Sequence, residues 1–139
     1  MNMPFGIRGP LRLALAVAAA SGAAGGFDPL HAQREPTLAE LAAQAAEQLR
    51  AQLPQRVDEV TTLTNLTAEG SRFIYEMAIS RPIPRERLEE ARAAMQANNQ
   101  RSLCAHADAG AFIRRGGSMR HIYTEAGGAR FETLVAACP

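Results

Sequence analysis

The stretch Ser118–Cys138 constrains the fold more tightly than any other part of the chain. Two alternating runs, Ser118–Glu125 and Arg130–Cys138, flank the break Ala126-Gly127-Gly128-Ala129. Period-two alternation on either side of a glycine pair is a hairpin signal, because a two-residue Gly-Gly loop suits the left-handed backbone of the primed turns. That turn sets Glu125 opposite Arg130, Thr124 opposite Phe131 and Ile122 opposite Thr133. A second ribbon is written upstream. Val57–Thr67 is rich in threonine and β-branched residues, and Arg72–Ser80 alternates Phe73, Tyr75, Met77 and Ile79 with smaller or polar partners. A turn at Glu69-Gly70 pairs Leu66 with Phe73, Thr64 with Tyr75, Thr62 with Met77, Val60 with Ile79 and Asp58 with Arg81, which gathers the apolar side chains on one face.

Helical patterns lie before and between the ribbons. Thr37-Leu-Ala-Glu40 has the hydroxyl and carboxylate spacing of a capping box. Leu38, Leu41, Ala45, Leu49 and Leu53 follow at three- and four-residue steps until Pro54 ends the helix. Arg81-Pro82-Ile83-Pro84 is a rigid link, after which Arg85–Gln100 carries Leu88, Ala91 and Met95 as an apolar seam and Glu89 and Arg92 as an ion pair, with Asn98-Asn99 as its fraying end. Ser102 is placed to cap a third helix over about Leu103–Arg115, with Gly116 as its stop and Ala107, Ala111 and Phe112 facing inward. The order helix, hairpin, two helices, hairpin predicts an α+β fold: a four-stranded antiparallel sheet from two hairpins, with about three helices packed on one face.

The first residues have a different character. Arg8 and Arg12 precede the run Leu13–Ala20, and small residues fill Ser21–Gly26, the three zones of a secretory signal peptide in order. The run is too short for the roughly 20 apolar residues that cross a bilayer, so no membrane span is expected after cleavage. The reading is a leader over residues 1–32 and one α+β domain over 33–139, with Gln33 as an equally acceptable cleavage point, and a periplasmic or secreted location. Removing Arg8, Arg12 and Asp28 with the leader leaves basic and acidic residues in balance, which argues against a nucleic-acid partner. Every basic residue is arginine and alanine is abundant, a composition that fits GC-rich bacterial codons.

Both cysteines, Cys104 and Cys138, lie beyond the leader, and in an oxidising compartment the expected product is one disulfide. It creates a geometric tension. A helix starting at Cys104 and running antiparallel to the Ser118 strand carries Cys104 roughly 16 Å away, whereas bridged Cα atoms lie about 4.4–6.8 Å apart. Either that helix crosses the sheet obliquely or it is shorter than drawn.

Chemistry-bearing residues are few. His106 and Asp108 stand two apart beside Cys104, a spacing that on a helix points them away from each other, so no metal or other cofactor is expected. Asp108 serves more simply against the helix dipole. His121, Tyr123 and Glu125 share one face of a strand, and the expected register sets them beside Glu132 and Leu134. With Glu132 these three are the candidate binding face, and no residue is assigned as catalytic. No serine has an activating context, and Gly116-Gly117 and Gly127-Gly128 are explained by a helix stop and a turn.

The order of Leu53-Pro54, Val57-Asp58, Thr61-Thr62-Leu63, Tyr75, Leu103-Cys104, Gly116-Gly117, Tyr123, Gly127-Gly128 and Cys138 resembles a group of small exported bacterial proteins with no assigned activity. The resemblance implies a periplasmic location and a shared fold, and it transfers no catalytic residue. The function expected is therefore non-enzymatic: binding of another envelope protein, as an inhibitor, an immunity factor or an accessory of envelope assembly. The free sheet face, with Arg72, Glu76, His121 and Glu132, is the expected surface. The alternative is a small hydrolase or ligand carrier with His121 or Tyr123 reaching into a cavity between helices and sheet.

Overall fold

A computed structural model describes residues 34–139. The leader expected over residues 1–32 and its cleavage point lie outside those residues. The helix α1 (Leu38–Arg50) is followed by β1 (Gln55–Arg56), β2 (Thr61–Glu69) and β3 (Arg72–Ile79). A short 3₁₀ turn (Arg85–Arg87) leads into α2 (Leu88–Ala105), and α3 (Ala107–Arg114), β4 (Ser118–Glu125) and β5 (Arg130–Val135) complete the order.

The five strands form one sheet in the order β1-β2-β3-β4-β5. Neighbours are antiparallel except β3 and β4, which run parallel with Tyr75 beside His121 and Met77 beside Tyr123. The four-stranded antiparallel sheet expected from sequence is thus a five-stranded mixed sheet. A parallel pair needs a long crossover, and the link, α2 and α3 between Ser80 and Gly117 supply it. The fifth strand is the two-residue β1, which pairs Gln55 with Leu63 and Arg56 with Thr62.

Both hairpins exist and both registers differ from expectation. The first turn is Gly70-Ser71, with Gly70 at φ 56°, so Glu69 faces Arg72 and Ala68 faces Phe73. A bulge between Leu63 and Asn65 then brings Leu63 onto Met77 and Thr61 onto Ile79. The extra residue lets Leu63 and Leu66 point to the same face although they are three apart. In the second hairpin, Thr124 pairs with Arg130, Tyr123 with Phe131, Ile122 with Glu132 and His121 with Thr133. The Glu125–Arg130 rung does not form, because Glu125 is used inside a longer loop: its amide donates to Ala129 O at 3.0 Å and its carbonyl accepts from Gly128 N at 2.9 Å.

The capping box is present at Thr37. Its Oγ1 accepts from Glu40 N at 3.1 Å, and the Glu40 carboxylate accepts from Thr37 N at 2.8 Å. The helix rests on β2 and β3 through Ala42 and Ala46, both buried, while Leu38, Leu41, Ala45 and Leu49 are only half-buried. Small side chains under the helix axis bring it close to the sheet and leave the leucines along its flanks.

α2 runs straight through Asn98-Asn99 and ends at Ala105, so Cys104 closes the second helix and does not open a third. His106 stands between the helices as the cap of α3: its Nδ1 accepts from Ala109 N at 3.3 Å. Ser102 has no capping role. Phe112 faces inward as expected, but Ala107 and Ala111 are exposed, and Ala109 and Ile113 take the inward places beside it. This boundary removes the tension over the disulfide, because α3 has only 8 residues and Cys104 ends the helix that lies along β5. Cys104 and Cys138 are joined, with Cα atoms 5.4 Å apart.

All three helices lie on the same sheet face. Leu66, Met119 and Val135 are fully buried beneath them, each contributing roughly 1.5–3 kcal/mol relative to exposure. One half-core gathers Phe73, Phe112, Ile113 and Met119 with α1 and α3; the other gathers Leu63, Met77, Ile79, Tyr123 and Phe131, with Leu88, Ala91 and Met95 packed on it as the sequence seam requires.

The outer edge of β5 is closed by α2. Gln96 Nε2 donates to Leu134 O at 2.8 Å and Gln96 Oε1 accepts from Leu134 N at 2.9 Å, while one turn later Gln100 Nε2 donates to Ala137 O at 2.7 Å. Two glutamines four residues apart share one helix face, so together they satisfy backbone groups that an exposed edge strand offers to other chains.

Candidate functional site

The four residues expected to form a binding face are divided between the two sides of the sheet. Strand β4 turns Met119, His121, Tyr123 and Glu125 toward the helices and Arg120, Ile122 and Thr124 away from them. Glu132 of β5 lies on the outer side, where Arg120 holds it with Nη2–Oε1 at 2.6 Å and Nε–Oε2 at 3.0 Å. This pair keeps the Glu132 carboxyl below its ordinary pKa. His121, placed on the free face by the sequence reading, is covered by protein.

Glu125 is 5% exposed, and its carboxylate accepts three backbone amides: Gly127 N at 2.8 Å, Ala129 N at 2.7 Å and Ile83 N at 2.9 Å. These bonds, Gly127 first, hold its carboxyl below the ordinary range. Its task is to brace the β4–β5 loop and tie it to the proline-rich link before α2.

His121 and Tyr123 belong to a ring stack that crosses the sheet. His121 lies flat on Tyr75, with centroids 4.6 Å apart and planes at 5°, and Tyr123 lies on Phe131 at 5.0 Å. Burial lowers the pKa of His121 to about 4, and its Nδ1 has no hydrogen-bond partner among the described residues. Burial also raises the hydroxyl pKa of Tyr75 and Tyr123. Because the His121 Nδ1 has no partner among the described residues, this ring is not part of a base–orienter pair of the kind that activates a nucleophile.

Asn99, which the sequence reading puts at a fraying helix end, lies inside α2 and is a polar anchor of the interface. Its Nδ2 donates to Tyr123 Oη and to Thr133 Oγ1, each at 2.9 Å, in the middle of the helix–sheet interface. Asn99 is also the one buried residue of α2. Replacing it with alanine strands two hydroxyls, and the expected loss is roughly 1–3 kcal/mol in urea unfolding. The double variant Tyr123→Phe with Thr133→Val is expected to recover part of it, since the stranded groups are then gone.

Tyr75 and Leu53 pack against both half-cores, and neither is fully covered. They mark a seam on the helical side. Leu49 flanks it from α1, and Leu88 and Met95 flank it from α2, all half-buried. Leu49, Leu53, Tyr75, Leu88 and Met95 are thus large apolar side chains that the fold leaves partly open.

Cys104 is committed to the disulfide and His106 to its cap, and among the described residues no three His, Cys, Asp or Glu side chains come together. Nor, among these residues, is any helix long and apolar enough to cross a membrane.

No known protein-family model and no curated protein matches the chain. Solved structures do. The fold is similar to that of a Pseudomonas aeruginosa protein inferred to be secreted, with TM-score 0.61 and 18% identity over 72% of this chain and 89% of that one. It is similar also to EpsS, the pilotin of the Vibrio vulnificus type 2 secretion system (TM-score 0.58, 15% identity, 72% and 88% covered). A third similar fold is AspS, the type II secretion system pilotin of Vibrio cholerae (TM-score 0.54, 24% identity, 70% and 87% covered). At these identities the likeness is one of fold.

Proposed function

We propose that this chain is an exported, non-enzymatic accessory of envelope assembly that holds a segment of another envelope protein along the seam between α1 and α2. The observation that carries the reading is the row Leu49, Leu53, Tyr75, Leu88 and Met95, half-covered apolar side chains beside a buried aromatic stack. An apolar strip flanked by two helices suits the apolar face of a partner segment. The fold likeness to two secretion-system pilotins supports an assembly role in the same compartment. The charged, apolar and small-residue zones of residues 1–26 are the sequence pattern on which the export part of this reading rests.

The test is site-specific photo-cross-linking in an exporting bacterium. A photoreactive residue at Leu49 or Met95 is expected to capture one envelope protein, identified by mass spectrometry as a secretion-apparatus subunit; the same probe at Thr124, on the outer face, captures none. Leu49→Gln and Met95→Gln are expected to weaken binding of the captured protein at least about tenfold, as for central apolar contacts, when measured well below their unfolding midpoints, which fall because both side chains also pack on the cores. Capture from Thr124 alone moves the interface to the outer sheet face and ends this reading.

A further inference from the structure

At one end of the outer sheet face lies a depression of about 480 Å³, lined by Glu69, Gly70, Ser71, Arg72, Gly116 and Ser118 among others. It is shallow and open to solvent, so it can cover only one end of a ligand. The register explains why these residues meet: Glu69 pairs with Arg72 across the first hairpin, and Arg72 pairs with Ser118 across the parallel strands. The β2–β3 turn and the end of α3 supply the walls. Gly70 and Gly116 both have positive φ, and a Cβ on either would project into open space, so no side chain fills the hollow from those positions.

The hydrogen-bonding state of this site is unbalanced. Arg72 Nε donates to Ser118 Oγ at 3.1 Å, which fixes the plane of the guanidinium, yet neither terminal nitrogen makes a hydrogen bond or ion pair among the described residues. The backbone amides of Gly70 and Ser71 likewise donate to no backbone acceptor among them. A positioned guanidinium fork beside two consecutive free amides is an arrangement that receives an anion. The sign and size of that anion are limited by two neighbours. Glu69 on the rim and the carbonyl end of α3 near Gly116 oppose negative charge, a dianion about twice as strongly as a monoanion, while Arg120 offsets part of the Glu69 charge.

We propose that this depression binds a carboxylate: Arg72 grips the two oxygens with its terminal nitrogens, the Gly70 and Ser71 amides donate to them, and Glu69 accepts an N–H from the same ligand. A planar monoanion with an adjacent amide satisfies every group named. A peptide C-terminus and an acidic side chain both carry that chemistry. The site is on the opposite side of the sheet from the helical seam, so it stands or falls independently of the reading above.

The experiment is amide-resolved NMR titration of the purified protein with N-acetylalanine for a chain terminus, the α-amide of N-acetylglutamate for an acidic side chain, and N-acetylalanine amide as the uncharged control. Saturable shifts at Gly70, Ser71, Arg72 and Gly116–Ser118 are expected, with dissociation constants of about 1–10 mM, the range open to a ligand held by a few hydrogen bonds. The tighter of the two acids names the source. Arg72→Gln is expected to weaken binding at least about tenfold and Arg72→Lys by less, since lysine keeps the charge and loses the fork. Unchanged chemical shifts elsewhere show that each variant folds. Equal shifts with the uncharged amide, binding unaltered in Arg72→Gln, tighter binding of inorganic phosphate, or no saturable shift with either acid would each overturn the proposal.

Discussion

Replacing both cysteines, Cys104→Ser with Cys138→Ser, is expected to cost about 3 to 4 kcal/mol of unfolding free energy, the chain-entropy value for a loop of this length. The bond spans 34 residues, which include α3, β4 and β5. For a domain of roughly 100 residues the loss corresponds to a fall in Tm of about 15–25 °C. The site of the damage can be stated as well. Beyond Val135 the chain has left the sheet ladder, and the remaining restraints on it are Gln100 Nε2 to Ala137 O at 2.7 Å and the long contact from Arg114 to Pro139 O. Without the disulfide the last four residues and the last turn of α2 are expected to lose hydrogen-exchange protection first, while the β2–β3 hairpin keeps its own. Calorimetry with and without reductant measures the loss; a change below about 1 kcal/mol would show that the bridge closes a loop already ordered without it.

The second large effect is on acid stability, and it comes from His121. The group is 8% exposed and its pKa is lowered to about 4 by burial. Its ring neighbours Tyr75 and Tyr123 have raised hydroxyl pKa values and stay neutral across the range concerned, and no charged group contributes to the shift. In the unfolded chain the imidazole takes up a proton near its ordinary value of 6.5; in the folded chain it does so only near 4. Between these values the unfolded state binds more protons, so stability is complete above about pH 6.5 and falls on acidification toward about pH 4, by about 3 kcal/mol in all. Glu125 and Glu132, whose pKa values are lowered below 4.5, act in a separate window: their contribution is present above the ordinary carboxyl value and is lost as pH falls through the lowered ones. Urea unfolding across pH separates the two. His121→Phe keeps the stack on Tyr75 and is expected to flatten the dependence between about pH 6.5 and 4 while leaving the more acidic limb intact. A slope unchanged in His121→Phe would assign it to another group.

The sequence made some of this fold readable and concealed other parts for physical reasons. The capping box at Thr37, the two hairpins, the disulfide, and the Leu88, Ala91 and Met95 seam rest on local chemistry, and local chemistry survives into the structure. Strand direction between hairpins does not. Alternation fixes which side of β3 is apolar but is the same for a parallel and an antiparallel neighbour, and the segment between β3 and β4 is long enough to return either way. The registers slipped because Gly70 and the Gly127-Gly128 pair each permit more than one turn, and because the bulge at Leu63–Asn65 inserts a residue that no periodicity announces.

The candidate face was misplaced by a familiar ambiguity. His121, Tyr123 and Glu125 are polar, and a polar row reads as the wet side of a sheet; in the fold the same row contains Met119 and lies under the helices, because Tyr123 and Glu125 find internal partners. Asn99 was misread for the converse reason. An asparagine pair reads as a helix end, and only the arrival of Tyr123 and Thr133 from distant strands makes a buried asparagine acceptable inside α2.

The parallel contact between β3 and β4 places Tyr75 on His121 and so creates both the aromatic stack and the seam beside it. Long-range NOEs measured on isotope-labelled protein test it most directly. The account predicts backbone contacts from Phe73 to Met119, Tyr75 to His121 and Met77 to Tyr123, rising together along both strands, with ring-to-ring contact between Tyr75 and His121. Contacts that run in opposite directions, or the absence of any between residues 72–79 and 118–125, would contradict it.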